Sequence, residues 1–443
     1  MITNPTWSGK RFAVLGLARS GMATAEALLA SGAEVLAWDR QDEPREKLAG
    51  RARIGDPLAE DLTGFDGVVV SPGVPLNTHP IGPRAHSFGV PVIGDIELFA
   101  QARPTLPPHK VVGITGTNGK STTTALVHHI LQTAGVPTRM GGNIGIPVLE
   151  GDPLPEGGVY VLELSSYQID LTHTLDCDVA VLLNVTPDHL DRYESFEAYA
   201  ASKARLFKMQ TPTGLAVVEQ AAESDLDVLD GAPDNLPIQF IDMVGLPANQ
   251  SQWPSLQGPH NLQNAQAAVA VCRGLGIRDD QIVHGLRTFR GLPHRMEVVR
   301  EHAGVIYLND SKATNTASAA PALAAWPPDP DPRVHWIVGG LAKEDGLGEC
   351  EQHLGNIAAA YTIGDSGPRF AELLEGRVPV NRCELLCEAV RRAVLNAKRG
   401  DVVLLSPACA SFDQFRDYEQ RGDHFRQLVD AILNDGGSGD HAA

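Results

Sequence analysis

Short runs of apolar residues alternate along the chain with longer segments in which apolar positions recur every three or four residues. The short runs predict buried strands, and the periodic segments predict amphipathic helices. The predicted strands have the sequences FAVLGL, AEVLAW, GVVV, KVVGIT, VYVLEL, DVAVLLNV, GVIYLND, VHWIVGG and DVVLLS. Strands that alternate with helices form parallel sheets covered by helices on both faces, so the pattern predicts an α/β fold.

Length and proline content predict the domain organisation. A chain of 443 residues suits about three domains of roughly 150 residues each. QARPTLPPHK (101–110) holds three prolines between a predicted helix and a predicted strand, which is typical of a linker. A second boundary is predicted near RGLPHR (290–295). We therefore predict domains at residues 1–103, 104–291 and 292–443.

The net charge and the cysteines indicate which binding partners and which cellular compartment to expect. The formal net charge is -18, and both duplex nucleic acid and anionic membranes require a basic surface, so neither is expected as a partner. No run of about 18 apolar residues predicts a membrane-spanning helix. The six cysteines form no C-x-x-C pair and no zinc-type spacing, which indicates reduced thiols packed as small apolar groups. We expect a cytoplasmic monomer.

A first glycine loop follows the first predicted strand. Gly16-x-Ala18-x-x-Gly21 is close to the dinucleotide fingerprint, and Asp39 ends the next strand, where an acid can bind ribose hydroxyls. Ala18 replaces the middle glycine and leaves less room for a pyrophosphate. The loop predicts a diphosphate-binding unit, and a purely structural turn remains the alternative.

A second glycine loop, in KVVGITGTNGKSTTTALVHHIL, is the strongest local signal. A strand leads through the loop into a helix, so backbone N–H groups can surround phosphates. Lys120 would neutralise the β- and γ-phosphates, and the Ser121 hydroxyl could bind Mg²⁺. Ile114 stands where a P-loop usually has its first glycine, so the loop is a variant. The predicted nucleotide-binding residues here are Gly116, Thr117, Asn118, Gly119, Lys120, Ser121 and Thr122.

With this loop, the chain resembles the Mur ligases and the related folylpolyglutamate synthases. Further matching motifs occur in the family's order and span almost the whole chain: GGNIG (141–145), ELSSYQ (163–168), NVTPDHLDRY (184–193), GPHNLQN (258–264), PHRME (293–297), NDSKATN (309–315) and SPACASFDQF…EQRG (406–422). The resemblance implies a Rossmann-like N-terminal domain for a UDP substrate, a central P-loop-type ATPase domain with a mostly parallel sheet, and a Rossmann-like C-terminal domain for an amino acid.

Three of these motifs, ELSSYQ, NDSKATN and SPACASFDQF…EQRG, favour the family activity that joins D-glutamate to UDP-N-acetylmuramoyl-L-alanine. The DNPR-type motif of the relative that adds meso-diaminopimelate or lysine does not occur in the sequence. The resemblance therefore implies an ATP-dependent amide ligase of peptidoglycan precursor synthesis. Such an enzyme would form an acyl phosphate and release ADP and phosphate.

The resemblance also implies the central catalytic groups. Glu163 ends a predicted strand, where its carboxylate would face the nucleotide loop. Lys203 matches the lysine that CO₂ carbamylates in the family, although a solvated surface lysine is the plain interpretation of its helix. The implied catalytic residues are Lys120, Asn143, His189 and Lys203. The implied ligands of two Mg²⁺ ions are Ser121, Glu163, His189 and carbamylated Lys203.

The remaining implied contacts lie near the ends of the chain. ATP would also contact Asn264, Arg295 and Asp310. The UDP substrate would contact Arg19, Ser20, Asp39, Arg40, Ser71, Gly73 and Asn143. D-Glutamate would contact Lys312, Thr314, Lys343, Ser411 and Tyr418. Ammonium and hydroxyl groups suit a small dicarboxylate.

Two other functions stay open at this point. A second amide ligase of the same superfamily would accept a different amino acid and would differ at residues 314, 343, 411 and 418. A nucleotide-binding module without catalysis would lack a full metal set, whereas Ser121, Glu163, His189 and Lys203 are all present. Ala18 and the ATP-type second loop disfavour a dehydrogenase.

Overall fold

The computed structural model describes residues 1–189 and 191–435. The described chain forms three β-sheets in two compact units. The first unit comprises residues 1–247 and 263–285 and holds two sheets. The second comprises residues 248–262 and the described residues from 286 onward and holds the third. All nine strands predicted from the apolar runs are confirmed.

The first sheet has five parallel strands in the order β3-β2-β1-β4-β5. Its strands are β1 (Arg11–Leu15), β2 (Glu34–Trp38), β3 (Arg53–Ile54), β4 (Gly67–Val70) and β5 (Val92–Ile93). Its helices are α1 (Arg19–Ala30), α2 (Asp42–Leu48), α3 (Ile81–Ser87) and α4 (Asp95–Ala102). The strand order reverses between β1 and β4, so the loops that follow these two strands border the crevice where such sheets bind ligands.

The second sheet has six parallel strands in the order β11-β10-β9-β6-β8-β7. Its strands are β6 (His109–Thr115), β7 (Thr138–Gly142), β8 (Gly158–Glu163), β9 (Val179–Leu182), β10 (Leu215–Val218) and β11 (Ile238–Phe240). The associated helices are α5 (Lys120–Thr133), α6 (Ser166–Asp170), α7 (Phe196–Lys208) and α8 (Gln220–Leu226), followed in the chain by α9 (Pro259–Gly274) and α10 (Asp279–Thr288). β6 lies between β9 and β8, and the second glycine loop leaves its carboxyl end.

The third sheet is mixed, with the order β12-β13-β17-β14-β15-β16. Its strands are β12 (Glu297–His302), β13 (Val305–Asn309), β14 (Val334–Gly339), β15 (Ile357–Ile363), β16 (Val380–Glu384) and β17 (Val402–Leu405). Its helices are α11 (Thr316–Ala324), α12 (Gly367–Leu374), α13 (Leu386–Asn396) and α14 (Tyr418–Asp435). β12 runs antiparallel to β13, which departs from the predicted parallel pattern. A two-residue turn with positive φ at both Ala303 and Gly304 forms this hairpin.

The cysteines follow the predicted packing with one exception. All six are free, and five of them are buried: Cys177, Cys272, Cys350, Cys383 and Cys409. Burial raises the pKa of each of these five thiols. The prediction of a packed thiol is wrong for Cys387, which is exposed on α13. Within the described residues, no helix is both long and apolar enough to cross a membrane.

Candidate functional site

The predicted site residues gather where strands end at the carboxyl edges of the three sheets. In the first sheet, the residues that follow β1, β2 and β4 are Arg19, Ser20, Asp39, Arg40, Ser71 and Gly73. In the second sheet, the residues that end or follow β6, β7, β8 and β9 are Gly116 to Thr122, Asn143, Glu163 and His189. In the third sheet, the residues that follow β13, β14 and β17 are Asp310, Lys312, Thr314, Lys343 and Ser411. Ligands of α/β sheets bind at this edge.

The first glycine turn is tightly packed. A Cβ atom at Gly21 would lie 1.8 Å from the Gly16 carbonyl oxygen, so the position requires glycine. The Ser71 hydroxyl donates a hydrogen bond to the Gly16 carbonyl at 2.8 Å. The Asp39 carboxylate accepts one from the Leu17 N–H at 2.6 Å. Two predicted UDP contacts therefore hold the turn in shape, and their contact with UDP stays a prediction.

Side chains connect the edge of the first sheet with the edge of the second. The Arg19 guanidinium donates to the Gly145 carbonyl at 2.7 Å. The Arg192 guanidinium lies 3.4 Å from the carbonyl oxygens of Gly73 and Val74 and stacks over the Tyr167 ring. Arg192 lies three residues after His189, a predicted metal ligand, and it contacts Gly73, a predicted UDP contact. The segments of these two predicted site residues therefore touch.

The nucleotide loop is fixed by two asparagines. Gly119 has a left-handed φ of 82°, and a Cβ atom there would lie 2.2 Å from the Asn264 side-chain oxygen. That oxygen also accepts a hydrogen bond from the Thr123 hydroxyl at 3.2 Å. The Asn184 side chain accepts from the Asn118 N–H at 2.8 Å and donates to the Asn118 carbonyl at 3.2 Å. Only glycine fits at 119, and Asn264 lies against the loop, while its contact with ATP stays a prediction.

Two lysines converge on the same loop. The Lys120 ammonium donates to the carbonyl oxygens of Gly116 and Thr117 at 2.8 Å each. Lys203, only 1% exposed, donates to the Gly116 carbonyl at 2.9 Å and lies 4.5 Å from the centre of the Tyr199 ring. Burial, with a smaller contribution from the charge of Lys120, lowers the pKa of Lys203 to about 7. The interpretation of Lys203 as a solvated surface lysine is therefore wrong.

A carboxylate and an amide face each other across β7 and β8. The Asn143 side chain donates to Oε1 of Glu163 at 2.8 Å, and the Asn143 N–H donates to the Glu163 carbonyl at 2.9 Å. Oε2 of Glu163 is buried and has no hydrogen-bond partner among the described residues. A buried carboxylate oxygen without a partner is costly, so this atom is suited to a cation.

His189 has a positive φ of 54° and lies beside aromatic rings. Its ring centre is 5.1 Å from that of Tyr167 and 6.0 Å from that of Tyr199, and its Nε2 is 3.5 Å from the Asp188 carboxylate. Across residues 1–189 and 191–435, no three His, Cys, Asp or Glu side chains form a group that could hold a metal ion. The predicted metal set contains two such side chains, Glu163 and His189, and is completed by Ser121 and Lys203.

The second unit brings most of its predicted residues into contact. The Lys343 ammonium lies 3.4 Å from the Thr314 hydroxyl, and the Lys312 ammonium lies 5.6 Å from the centre of the Tyr418 ring. Leu341 and Ala410 pair through two backbone hydrogen bonds, so the segment of Lys343 lies beside that of Ser411.

Asp310 and Arg295 also lie in neighbouring segments. The Asp310 carboxylate accepts from the Ser406 hydroxyl at 2.8 Å and from the Met296 N–H at 3.2 Å. Burial raises the pKa of Asp310 to about 7, against the opposing effect of these hydrogen bonds and of the Arg295 charge. The contacts of both residues with ATP stay predictions.

Comparisons with known proteins agree with this arrangement. Three family descriptions match the chain: "Mur ligase MurD-like, N-terminal domain" at residues 10–94, "Mur ligase middle domain" at 114–234 and "Mur ligase, glutamate ligase domain" at 294–409. A UDP-N-acetylmuramoylalanine–D-glutamate ligase of Novosphingobium aromaticivorans is 61% identical over 98% of both chains. The chain belongs to the Mur ligase family.

One further relative supports the assignment to the Mur ligases, and one solved structure shares the fold. A protein of the same printed name from Sphingopyxis alaskensis is 58% identical over 98% of this chain and 100% of its own. The crystal structure of MurF ligase from Thermotoga maritima in complex with ADP is 18% identical, has a TM-score of 0.57, and covers 98% of this chain and 97% of that one. The second likeness shows that the fold is shared.

Several residues around the site of this Mur ligase were not among the predictions. Asn184 lies two residues after the end of β9, and its position near the carboxyl edge was an available signal. Tyr199 precedes Lys203 by four residues on one helix face, so helical spacing could have found it. Arg192 and Arg421 lie within the motifs NVTPDHLDRY and EQRG, but they bind backbone carbonyl oxygens, and the sequence carries no signal for these partners.

Proposed function

We propose that the chain catalyses the ATP-dependent ligation of D-glutamate to UDP-N-acetylmuramoyl-L-alanine, with release of ADP and phosphate. The observation that carries this proposal is the 61% identity, over 98% of both chains, to a protein named UDP-N-acetylmuramoylalanine–D-glutamate ligase. The reaction belongs to peptidoglycan precursor synthesis in the cytoplasm. The predicted contacts to all three substrates come from one chain, so a monomer suffices.

The first chemical step activates the acceptor. A carboxylate oxygen of UDP-N-acetylmuramoyl-L-alanine attacks the γ-phosphorus of ATP, a new O–P bond forms, and the bond to ADP breaks. Because both partners are anions, the protein contributes mainly position and positive charge. Lys120 and the N–H groups at the start of α5 supply charge and dipoles at the phosphates. Asn264 keeps the loop in place through its contacts with Gly119 and Thr123.

Mg²⁺, when bound, adds positive charge at the phosphate oxygens. The donor set suits this hard cation because it offers a hydroxyl from Ser121 and a carboxylate from Glu163 whose Oε2 has no partner among the described residues. His189 and carbamylated Lys203 would hold a second ion. Asn143 orients the Glu163 carboxylate through the hydrogen bond to Oε1.

Carbamylation of Lys203 is supported by its burial. A carbamate forms when a neutral amine attacks CO₂ and loses a proton. With a pKa of about 7, roughly half of the Lys203 amine is neutral at pH 7, against fewer than about one in a thousand for an ordinary lysine. The product replaces a cation with an anion, which suits metal binding.

The second step forms the amide. The neutral amine of D-glutamate attacks the acyl carbon, a tetrahedral intermediate forms, and phosphate leaves. In this proposal Lys343 pairs with a carboxylate of the amino acid, while Lys312 and the hydroxyls of Thr314, Ser411 and Tyr418 complete the site.

Lys343→Ala is expected to raise the KM for D-glutamate and to leave the KM values for ATP and the UDP substrate nearly unchanged. Loss of one charge-assisted hydrogen bond costs about 1.5–3 kcal/mol, or roughly ten- to a hundredfold in binding. Steady-state kinetics with each substrate varied in turn measures the effect. Lys398→Ala, an exposed lysine of the same unit, is the matched control. If only the KM for ATP rises, Lys343 would be reassigned as a contact of the ATP phosphates.

The proposed function is tested by offering the wild-type protein D-glutamate, L-glutamate, L-lysine and meso-diaminopimelate in parallel. Phosphate release is measured with UDP-N-acetylmuramoyl-L-alanine and ATP present. The expected result is release that depends on D-glutamate. A preference for another amino acid would reassign the chain within the Mur ligase family, and no dependence on any of them would leave only nucleotide binding.

A further inference from the structure

Arg421 on α14 is a buried arginine, only 1% exposed, whose guanidinium binds neutral oxygen atoms. Nε donates to the Ser311 hydroxyl at 2.9 Å, and Nη2 donates to the Ser311 carbonyl at 2.8 Å. Nη1 donates to the carbonyl oxygens of Cys409 and Ala410 at 3.0 and 3.3 Å. One side chain therefore joins the loop after β13 to the loop after β17.

The hydrogen bonds of Arg421 and of its partners link every segment that carries a residue predicted to bind the substrate amino acid. Ser311 directly precedes Lys312, and Ala410 directly precedes Ser411. The Ala410 carbonyl also accepts from the Leu341 N–H at 2.9 Å, which adds the segment of Lys343. The Ser311 hydroxyl donates to the Tyr418 carbonyl at 2.8 Å, which adds the start of α14.

The charge of Arg421 is not neutralised by an ion pair. Among the described residues, no carboxylate oxygen lies within 4.0 Å of its guanidinium nitrogens. Burial lowers the pKa of Arg421 to about 10, which still leaves the side chain charged at neutral pH. A buried cation whose hydrogen-bond partners are all neutral leaves a positive field in its surroundings, which the charge of Asp413 reduces in part. The segments of Lys312 and Lys343 lie next to these hydrogen-bond partners.

We propose that Arg421 is a positioning and specificity residue of the amino-acid site. Its guanidinium holds together the segments of Lys312, Lys343 and Ser411, and its positive charge favours a substrate with two carboxylates over one with a single carboxylate. This inference rests on the proposed function, since it concerns the amino acid that the ligase accepts.

The test compares Arg421→Lys and Arg421→Met with wild type, using D-glutamate and its neutral isostere D-glutamine as acceptors. Arg421→Met is expected to raise the KM for D-glutamate about tenfold and to lower the preference for D-glutamate over D-glutamine by a similar factor. Arg421→Lys keeps the charge but not the planar set of donors, so it should raise both KM values while retaining more of the preference. The KM for ATP should change less than about twofold in either variant.

Arg300→Met is the matched control. It removes a partly buried arginine of β12 that forms an ion pair with Asp430, and Asp430 lies on α14, the helix of Arg421. It should leave the acceptor preference unchanged. Ser311→Ala keeps the cation and removes one of its acceptors, so a rise of roughly threefold in the KM for D-glutamate is expected even if Arg421→Met does not fold.

Several outcomes would overturn the inference. The first is an unchanged preference for D-glutamate over D-glutamine in Arg421→Met. The second is a rise in the KM for ATP of that variant as large as the rise in its KM for D-glutamate. The third applies if Arg421→Met does not fold, and it is normal D-glutamate kinetics in both Arg421→Lys and Ser311→Ala. A wild-type protein that does not use D-glutamate would instead reject the proposed function. If the wild-type protein uses D-glutamate and the variants show unchanged kinetics, only the role of Arg421 would be rejected.

Discussion

Replacing Lys120 with alanine is expected to leave the chain folded and to remove nearly all ligation. The Lys120 ammonium lies at the loop that leaves β6, where it donates to the carbonyl oxygens of Gly116 and Thr117. Loss of such a charge at a transferring phosphoryl group costs about 2–4 kcal/mol in the barrier, or roughly 30- to 1,000-fold in rate. The rate of ADP formation at saturating ATP measures the loss.

Lys110→Ala supplies the control for Lys120, since Lys110 is exposed on β6, the strand that leads into the loop of Lys120. Thermal unfolding of both variants should resemble that of wild type. Near-normal turnover by Lys120→Ala at saturating ATP would contradict the assignment of this loop to phosphate binding.

Lys203→Ala is expected to be inactive, with a loss of about a hundredfold or more, and to recover partly when a short carboxylate or chloride is added. The added anion would occupy the space of the carbamate and restore the missing negative charge. Wild-type activity should fall in CO₂-depleted buffer and return with bicarbonate. The carbamate carbon should be visible by NMR after addition of ¹³C-labelled bicarbonate.

Rescue by an anion separates the carbamate from a structural role of Lys203. The variant also loses the hydrogen bond to the Gly116 carbonyl, and a small anion would not restore that contact. Lys208→Ala, at an exposed lysine of the same helix, is the control. Full activity of Lys203→Ala in CO₂-depleted buffer would show that no carbamate is needed.

The strands that the sequence predicted correctly are those whose side chains are almost all apolar and buried. β4 (GVVV), β9 (VAVL) and β17 (VVLL) are buried throughout. β10 (LAVV) has the same apolar, buried character and was nevertheless overlooked. Several other strands that were missed give a weaker pattern for physical reasons. β3 and β5 have two residues each, and β16 (VNRCE) is a polar edge strand. β15 (IAAAYTI) is central, but alanine has a low preference for strands.

The placement of candidate site residues at a sheet edge could be predicted wherever a polar residue ends a strand or directly follows it. Glu163 and Asp310 are examples, because strand ends alone put them at a sheet edge. The burial of Lys203 could not be predicted, because its helix carries charged residues on both sides of it in the sequence. Arg421 could not be assigned a role either, because its partners are a serine hydroxyl and backbone carbonyl oxygens, up to 110 positions away.

The distribution of thiols leaves one exposed cysteine, in the second unit, for selective chemical labelling. Five cysteines are buried with raised pKa values and form little thiolate, whereas Cys387 is exposed on α13. A maleimide dye added to the folded native chain should therefore attach at one position, without prior removal of the other cysteines.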